Sequence, residues 1–357
     1  MKRVGFDSEF DKENIIDQIQ VDEDSYNHLI TLLKEKTGLN FRYYNRTFIE
    51  KRIKSRMIRV NCKTLDEYYK YVSLNQSEIK KIIDGFTVNY TFFFRDYSVF
   101  ETFQDLFIQG LNVSRKDIKS NIRPDPSKLE NFRSKTNAVK NLHKIRYLTE
   151  KPANYYVDIF IFLNRLSYYR KMKRPRSDNN CINIWSCPCA TGEEPYSIAM
   201  ILDNLESQVL RFPKFKIVAS DIAHEAIEKA KIGIYTNDSM KEISDYYENK
   251  YFMKQKAHFG HYNVIKEEIK NKIEFVEEDV TKGHKLPQKY DIIFCRYLLI
   301  YFNRENRAKF LKIIEDRLVE NGILILGKTE TLFDSWGSLQ IVDTNNRIYI
   351  KSHSKLY

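Results

Sequence analysis

The sequence predicts an α/β fold, a mainly parallel sheet with helices on both faces, preceded by a small all-α N-terminal domain. Three observations carry that prediction. From Cys181 onward, short apolar runs alternate with helical stretches, the pattern of a parallel sheet covered on both sides. Residues 24–100 instead carry apolar side chains at helical spacing. Between the two, 111–180 is dominated by Ser, Asn, Lys and Arg and is broken at Ile122-Arg123-Pro124-Asp125-Pro126.

The elements follow in order. A first helix covers 26–33 and stops near Gly38. A second runs from about 45 to 60, because at 100° per residue Ile49, Ile53, Met57 and Val60 share one face. Arg52, Arg56 and Arg59 form a basic stripe beside that face, which for one helix alone reads as a solvated surface. Further helices are expected at 64–74 and 77–86. The Tyr/Phe-rich stretch 153–173 reads as a helix, followed by an exposed basic tail at 171–176. Strands are expected at 182–185, 215–220, 273–277, 291–295 and 323–326, with helices at 194–205 and 303–319. Stretches 339–342 and 347–351 could close the sheet as an antiparallel edge pair. The division is then a helical domain over 1–100, a basic insertion or linker over 101–180, and an α/β domain over 181–357 with a β-subdomain around 235–270.

Composition narrows the class. The 357 residues include 59 Lys+Arg and 48 Asp+Glu, a net charge of +11. Segment 111–180 holds 17 of the basic and 6 of the acidic residues, leaving 42 of each sign elsewhere. The basicity belongs to that segment, so it is weak support for a nucleic-acid-binding chain. A hydrophobic fraction of 42% with 14% aromatics excludes a disordered or collagen-like chain. With only 11 glycines, any glycine-rich phosphate loop must be a depleted one. No apolar run approaches the roughly 20 residues that span a bilayer, and no secretory signal is visible. Five unevenly placed cysteines do not make a disulfide framework. A reduced, cytoplasmic protein without a transmembrane segment is expected.

In a doubly wound sheet, ligands bind beyond the carboxyl ends of the strands. The first strand leads into Ser186-Cys187-Pro188-Cys189-Ala190-Thr191-Gly192-Glu193-Glu194-Pro195-Tyr196-Ser197. Its small residues let a ligand approach the backbone, and Pro195 suits a helix's first turn. Two carboxylates there would repel a pyrophosphate, so a ligand with hydroxyls or positive charge fits better. Ser220-Asp221 closes the second strand, Glu277-Glu278-Asp279 the third, and Cys295-Arg296-Tyr297 the fourth. One acidic strand end is usually a cap or a solvated group; several at successive ends point to a site. Cys187-Pro188-Cys189 with Cys181 lacks the partners for a four-ligand zinc site, and no metal is expected. His258 and His261 read as surface residues.

These segments resemble the chemoreceptor glutamate methyltransferases, the CheR family. The resemblance lies in GEEPYS after the first strand, ASDI at the second, and IFCR followed by IYF at the fourth. Upstream, Asn89-Tyr90-Thr91-Phe92-Phe93-Phe94-Arg95-Asp96 resembles that family's N-x-T-x-F-F-R segment. The match covers roughly 26–100 and 181–351, in the family's order. It implies a Rossmann-like S-adenosylmethionine-dependent methyltransferase domain behind a small all-α domain. It also implies transfer of methyl groups to glutamates on the cytoplasmic domain of chemoreceptors (methyl-accepting chemotaxis proteins), with S-adenosylhomocysteine as product. Carried over by motif position, the cofactor would be held by Asn89, Thr91, Arg95, Glu194, Asp221, Asp279, Val280, Arg296 and Tyr297. Arg95 and Tyr301 would serve the reaction, Tyr301 matching the family tyrosine near the transferable methyl. In this family the helical domain faces the receptor, which turns Arg52, Arg56 and Arg59 into candidates for substrate recognition. A monomer, recruited to chemoreceptor arrays and binding no nucleic acid, is the corresponding expectation.

The chain departs from the family pattern in three places. Pro188 stands where a glycine is usual, fixing φ and removing a backbone donor. Tyr297 stands where asparagine is common, exchanging an amide for an aromatic edge. The stretch 251–261 lacks the glycines with which some members bind a receptor's C-terminal peptide. Two other readings stay open. One is a nucleic-acid methyltransferase using the basic insertion, although the fourth strand lacks the Asp/Asn-Pro-Pro-aromatic motif of base methylation. The other is a non-catalytic S-adenosylmethionine-binding or signalling protein of the same fold.

Overall fold

The computed structural model describes residues 19–39, 41–86, 91–112, 118, 162–168, 181–257, 260–282, 289–332 and 335–352. Asn89 and His258 lie outside the described residues, as does 111–180 apart from 111–112, 118 and 162–168. Of the helix expected at 153–173, the described portion 162–168 is helical. The chain groups into two units, Met1–Val88 with Leu299–Lys309, and Asn89–Leu298 with Phe310–Tyr357.

The first unit is built on α1 (Glu23–Thr37), α2 (Arg46–Arg59), α3 (Leu65–Leu74) and α4 (Gln76–Phe86). Each boundary has a chemical cause. Asp22 caps α1 by accepting from Ser25 N at 2.8 Å, and Gly38 ends it at φ 69°, where a side chain would be strained. Asn45 caps α2, accepting from Thr47 N at 3.0 Å. Thr64 and Glu67 form a reciprocal capping box at α3. Leu29, Ile30, Leu33, Ile49, Ile53, Met57, Leu65, Tyr68 and Val72 are buried, so the face predicted for the second helix is the inward one. The turn Leu299–Tyr301 belongs to this unit, with Asn45 N donating to Tyr301 O at 2.6 Å.

The second unit begins earlier than the predicted domain edge at 100. Its α5 (Tyr97–Gly110) buries Phe100, Phe103 and Phe107 in one core with Ile182, Ile184, Ile292 and Phe294 of the sheet. Eight strands run in the order β6-β2-β1-β7-β8-β11-β10-β9. Their bounds are β1 Cys181–Ser186, β2 Lys214–Asp221, β6 Ile273–Glu277, β7 Tyr290–Cys295, β8 Leu318–Leu326, β9 Ser335–Trp336, β10 Leu339–Asp343 and β11 Ile348–Lys351. The first five in spatial order are parallel; β11, β10 and β9 add an antiparallel edge. All six residues of β7 are buried, as a central parallel strand requires. A separate antiparallel sheet, β3-β5-β4, is made from β3 Ile234–Tyr235, β4 Phe252–Ala257 and β5 Gly260–Ile265. Further helices are α6 (Glu193–Glu206), α7 (His224–Ile232), α8 (Asp245–Tyr251), α9 (Glu267–Lys270) and α10 (Arg304–Arg317), the last with its residues up to Lys309 grouped in the first unit. Among the described residues, no helix is long and apolar enough to cross a membrane.

One topological fact positions the site. From β1 the chain steps outward to β2 and β6, then returns to β7 on the other side of β1. The order therefore reverses between β1 and β7, the switch point beyond whose carboxyl ends doubly wound sheets bind ligands.

Candidate active site

The loop from β1 into α6 is pinned from three sides. Cys187 N donates to Phe294 O of β7, and Cys189 N to Ser220 O of β2, both at 2.9 Å. Ala190 N donates to Asp221 Oδ2, also at 2.9 Å. The Tyr235 hydroxyl donates to Thr191 O at 2.8 Å. Gly192 sits at φ 98°, and a Cβ there would lie 2.9 Å from the Ala230 methyl and 3.0 Å from the Tyr235 hydroxyl. Only glycine meets both demands. The Cys187–Pro188 peptide is cis.

The two glutamates opening α6 do different work. Glu193 turns inward, accepting from Thr191 Oγ1 at 2.7 Å and Ser239 Oγ at 3.0 Å. Burial pushes its carboxyl up, and the two hydroxyls hold it back. Glu194 accepts from Ser186 Oγ at 2.7 Å and from Arg296 Nη1 at 3.0 Å. Burial raises its pKa as well, opposed chiefly by the Arg296 charge.

Asp221, 2% exposed, accepts from Ala190 N and, through Oδ1, from Ala223 N at 3.0 Å. Burial raises its pKa to about 6 against those amide bonds. At the end of β6, Glu278 N donates to Asp221 O at 2.9 Å, which brings the third strand's end alongside the second's. Next along the chain, Asp279 accepts from Thr281 N at 3.0 Å and Thr281 Oγ1 at 2.6 Å, and Val280 is buried.

The end of β7 carries the densest charge. Arg296 is buried; besides Glu194, its Nη2 donates to Asp96 Oδ2 at 2.6 Å and to Arg95 O at 2.8 Å. Burial lowers its pKa, but Glu194 and then Asp96 outweigh it, and the net shift is upward. Its Nε is buried with no partner among the described residues. The Tyr297 hydroxyl also donates to Asp96 Oδ2, and Tyr297 N donates to Glu330 Oε2 at 2.7 Å. The Arg95 guanidinium lies 3.6 Å from the Tyr297 ring centroid. Phe94, Asp96, Ala190 and Tyr297 all have positive φ, between 47° and 62°. Such strain in bulky residues persists only where the surroundings over-determine it, and it clusters at functional sites.

Residues 158–348 match the family described as CheR methyltransferase, SAM binding domain, and 24–87 match CheR methyltransferase, all-alpha domain. The chain belongs to the CheR methyltransferase family. A chemotaxis protein methyltransferase of Borreliella burgdorferi is 26% identical over 320 residues, covering 88% of this chain and 90% of that one. A second relative of that description, from Vibrio cholerae, is 26% identical over 307 residues, covering 84% and 82%. One from Escherichia coli is 34% identical over 149 residues, covering 41% and 51%.

The two CheR domains stand in the order the motifs implied, all-α before the S-adenosylmethionine-binding methyltransferase domain. The site suits that cofactor on its own chemistry. Buried acceptors stand at the ends of β2 and β6, an orphan donor sits on Arg296, and the β1–α6 loop of small residues is held close by. Asp221 and Glu194 each accept one bond per carboxylate oxygen from the partners named, leaving lone pairs for hydroxyls or an ammonium.

Of the residues singled out from the sequence, Arg95, Glu194, Arg296 and Tyr297 join one cluster, and Asp221 meets it through the β1–α6 loop. Asp279 and Val280 follow at the neighbouring strand end. Thr91 is half-buried at the start of the segment leading to Arg95. Tyr301 lies in the helical unit, its ring centroid 4.4 Å from that of Phe48. On α2, Arg59 is exposed and Arg52 lies 5.3 Å over the Phe48 ring. Arg56 is engaged internally, its Nε and Nη2 each donating to Glu78 at 2.8 Å. Sequence reading gave no role of their own to Asp96, Glu193 and Glu330, although the first two lie in segments it singled out. Asp96 follows Arg95 directly and was open to notice; Glu330 lies far along the chain and carries no local signal. Among the described residues, no group of three or more His, Cys, Asp or Glu could hold a metal ion.

Proposed function

We propose that the chain transfers the methyl group of S-adenosylmethionine to glutamate side chains on the cytoplasmic domain of chemoreceptors, leaving glutamate methyl esters and S-adenosylhomocysteine. The observation that carries this reading is the charge cluster at the β1/β7 switch point, where the Arg95 guanidinium lies over the Tyr297 ring beside Arg296, itself paired with Glu194 and Asp96. It suits an anionic nucleophile approaching a bound zwitterion. A glutamate with pKa near 4.3 is already ionised at neutral pH, so the acceptor needs no general base. Positioning and partial desolvation of two reactants can be worth about 7–11 kcal/mol where the bound geometry is aligned for attack.

The cofactor supplies an electrophilic methyl on a sulfonium; this chain's residues hold and orient. Asp221 accepts from the ribose hydroxyls, and Asp279 with Val280 meets the adenine. Glu194 answers the amino group. Arg95 answers the cofactor carboxylate and draws in the substrate carboxylate, with Asn89, Thr91, Arg296 and Tyr297 completing the set. Tyr301 stands by the transferred methyl. Arg52 and Arg59 read the acidic receptor surface, while Arg56 keeps their helix in place through Glu78. The work is done in the cytoplasm by a monomer, and the basic 111–180 segment contacts an acidic partner such as the receptor array.

The test is transfer of a labelled methyl group to receptor cytoplasmic fragments. Label released as methanol by mild alkali and mapped to glutamate supports the reading; alkali-stable label, or label on DNA or RNA in preference to receptor, refutes it. Arg95→Ala should lose transfer while keeping the fold, and near-normal turnover in that variant would remove Arg95 from the site.

A further inference from the structure

Asp96 has no part in the roles assigned above, yet it stands at the centre of the site. Its backbone is left-handed, at φ 62°, a conformation that Asp and Asn tolerate better than other side chains. It occupies the N-cap position of α5 without capping it, so its carboxylate is spent elsewhere. One oxygen, Oδ2, accepts from both the Arg296 guanidinium and the Tyr297 hydroxyl. Tyr297 is anchored again through its backbone, where Glu330 accepts from both Tyr297 N and Gly327 N at 2.7 and 2.8 Å. The ring thus has its tip and its backbone tied. On its face lies the Arg95 guanidinium, while Arg95 O accepts from Arg296. An amide side chain at position 297 could not present such a face.

We propose that Asp96 is a positioning residue which, by holding the Tyr297 ring and Arg296 together, fixes the Arg95 guanidinium in the orientation that methyl transfer requires. The proposal rests on the role given to Arg95 above. An arginine side chain has several soft torsions, and a cation–π contact at this distance removes that freedom in advance. Tyr297 is then the means by which Asp96 reaches Arg95.

The test uses the full chain with labelled arginine and a receptor cytoplasmic fragment. The Arg95 Nε–Hε resonance, assigned by its loss in Arg95→Ala, should be shifted upfield by the Tyr297 ring current. It should move toward the position of free arginine in Asp96→Asn, and also in Tyr297→Phe, which keeps the ring but frees its tip. At saturating cofactor both variants should lose about ten- to a hundredfold in kcat, the scale of a misplaced catalytic group. A purely structural Asp96 would instead lower Tm and leave kcat per folded molecule, and the resonance, unchanged. An unmoved resonance in both variants overturns the clamp, whatever Arg95→Ala does to turnover. A fully active Arg95→Ala overturns the reading of the site, and with it the link from clamp to catalysis. A moved resonance with normal kcat in both variants overturns that link alone.

Discussion

Replacing Arg56 by alanine should loosen the helical unit, and the structure says by how much. Glu78 is 1% exposed and accepts from Arg56 Nε, Arg56 Nη2 and the Tyr68 hydroxyl, at 2.8, 2.8 and 2.9 Å. Removing the guanidinium strands a carboxylate in the interior, a change that costs about 3–5 kcal/mol. Expressed as local opening, that is about two to nearly four powers of ten in amide exchange. Hydrogen exchange read by mass spectrometry on peptides from 46–86 of the full chain measures it directly. Arg59→Ala, at an exposed position, should stay within about threefold of the parent. The double variant Arg56→Met, Glu78→Gln removes the charges together and leaves Tyr68 an acceptor, so it should recover most of the loss. Exchange in Arg56→Ala within threefold of the parent would refute the argument and return Arg56 to the surface available for a receptor.

Three further outcomes follow from the same geometry. Burial raises Asp221 from an ordinary 3.8 to about 6, so the folded chain holds that proton more tightly than the unfolded chain does. Its stabilising contribution is therefore full below pH 3.8 and lost as pH rises through about 6, a swing of about 3 kcal/mol. Calorimetric titration should show cofactor affinity falling by up to tenfold per pH unit below about 6 and level above it, with Asp221→Asn flattening the profile. Gly192→Ala must place a Cβ 2.9 Å from Ala230 at φ 98°, and denaturant unfolding should show a loss of about 2 kcal/mol or more. Phe48→Leu removes the ring beside Tyr301, and should lower kcat at saturating cofactor while leaving cofactor affinity, measured by calorimetry, unchanged.

The strands and helices of the α/β unit were legible because burial writes itself into local composition. β7 reads as an unbroken apolar run since both its faces are covered, and α2 shows its inward face because Ile49, Ile53 and Met57 recur at helical spacing. The strand-end residues Asp221, Asp279 and Arg296 were legible for a related reason: in a parallel sheet the chemistry collects at carboxyl ends, and each end follows its strand in sequence. The domain edge at 100 was not. The Phe-rich helix Tyr97–Gly110 has the same periodicity whichever core receives it, and only the packing of Phe100 and Phe103 on Phe294 assigns it to the sheet.

The sequence by itself determined the two-part architecture, the family, the cofactor class and most of the residues gathered at the switch point, because these depend on periodicity and on motifs that are local in the chain. Only the tertiary structure decided what those residues do to one another. It drew Arg56 out of the basic stripe and onto Glu78, 22 positions away. It set Asp96 against Arg296 and Tyr297, about 200 positions further on. It turned Tyr297 from an unexplained departure into the surface on which Arg95 rests. Spacing in a sequence records faces and ends, whereas the energy of a buried charge depends on which distant groups fold around it.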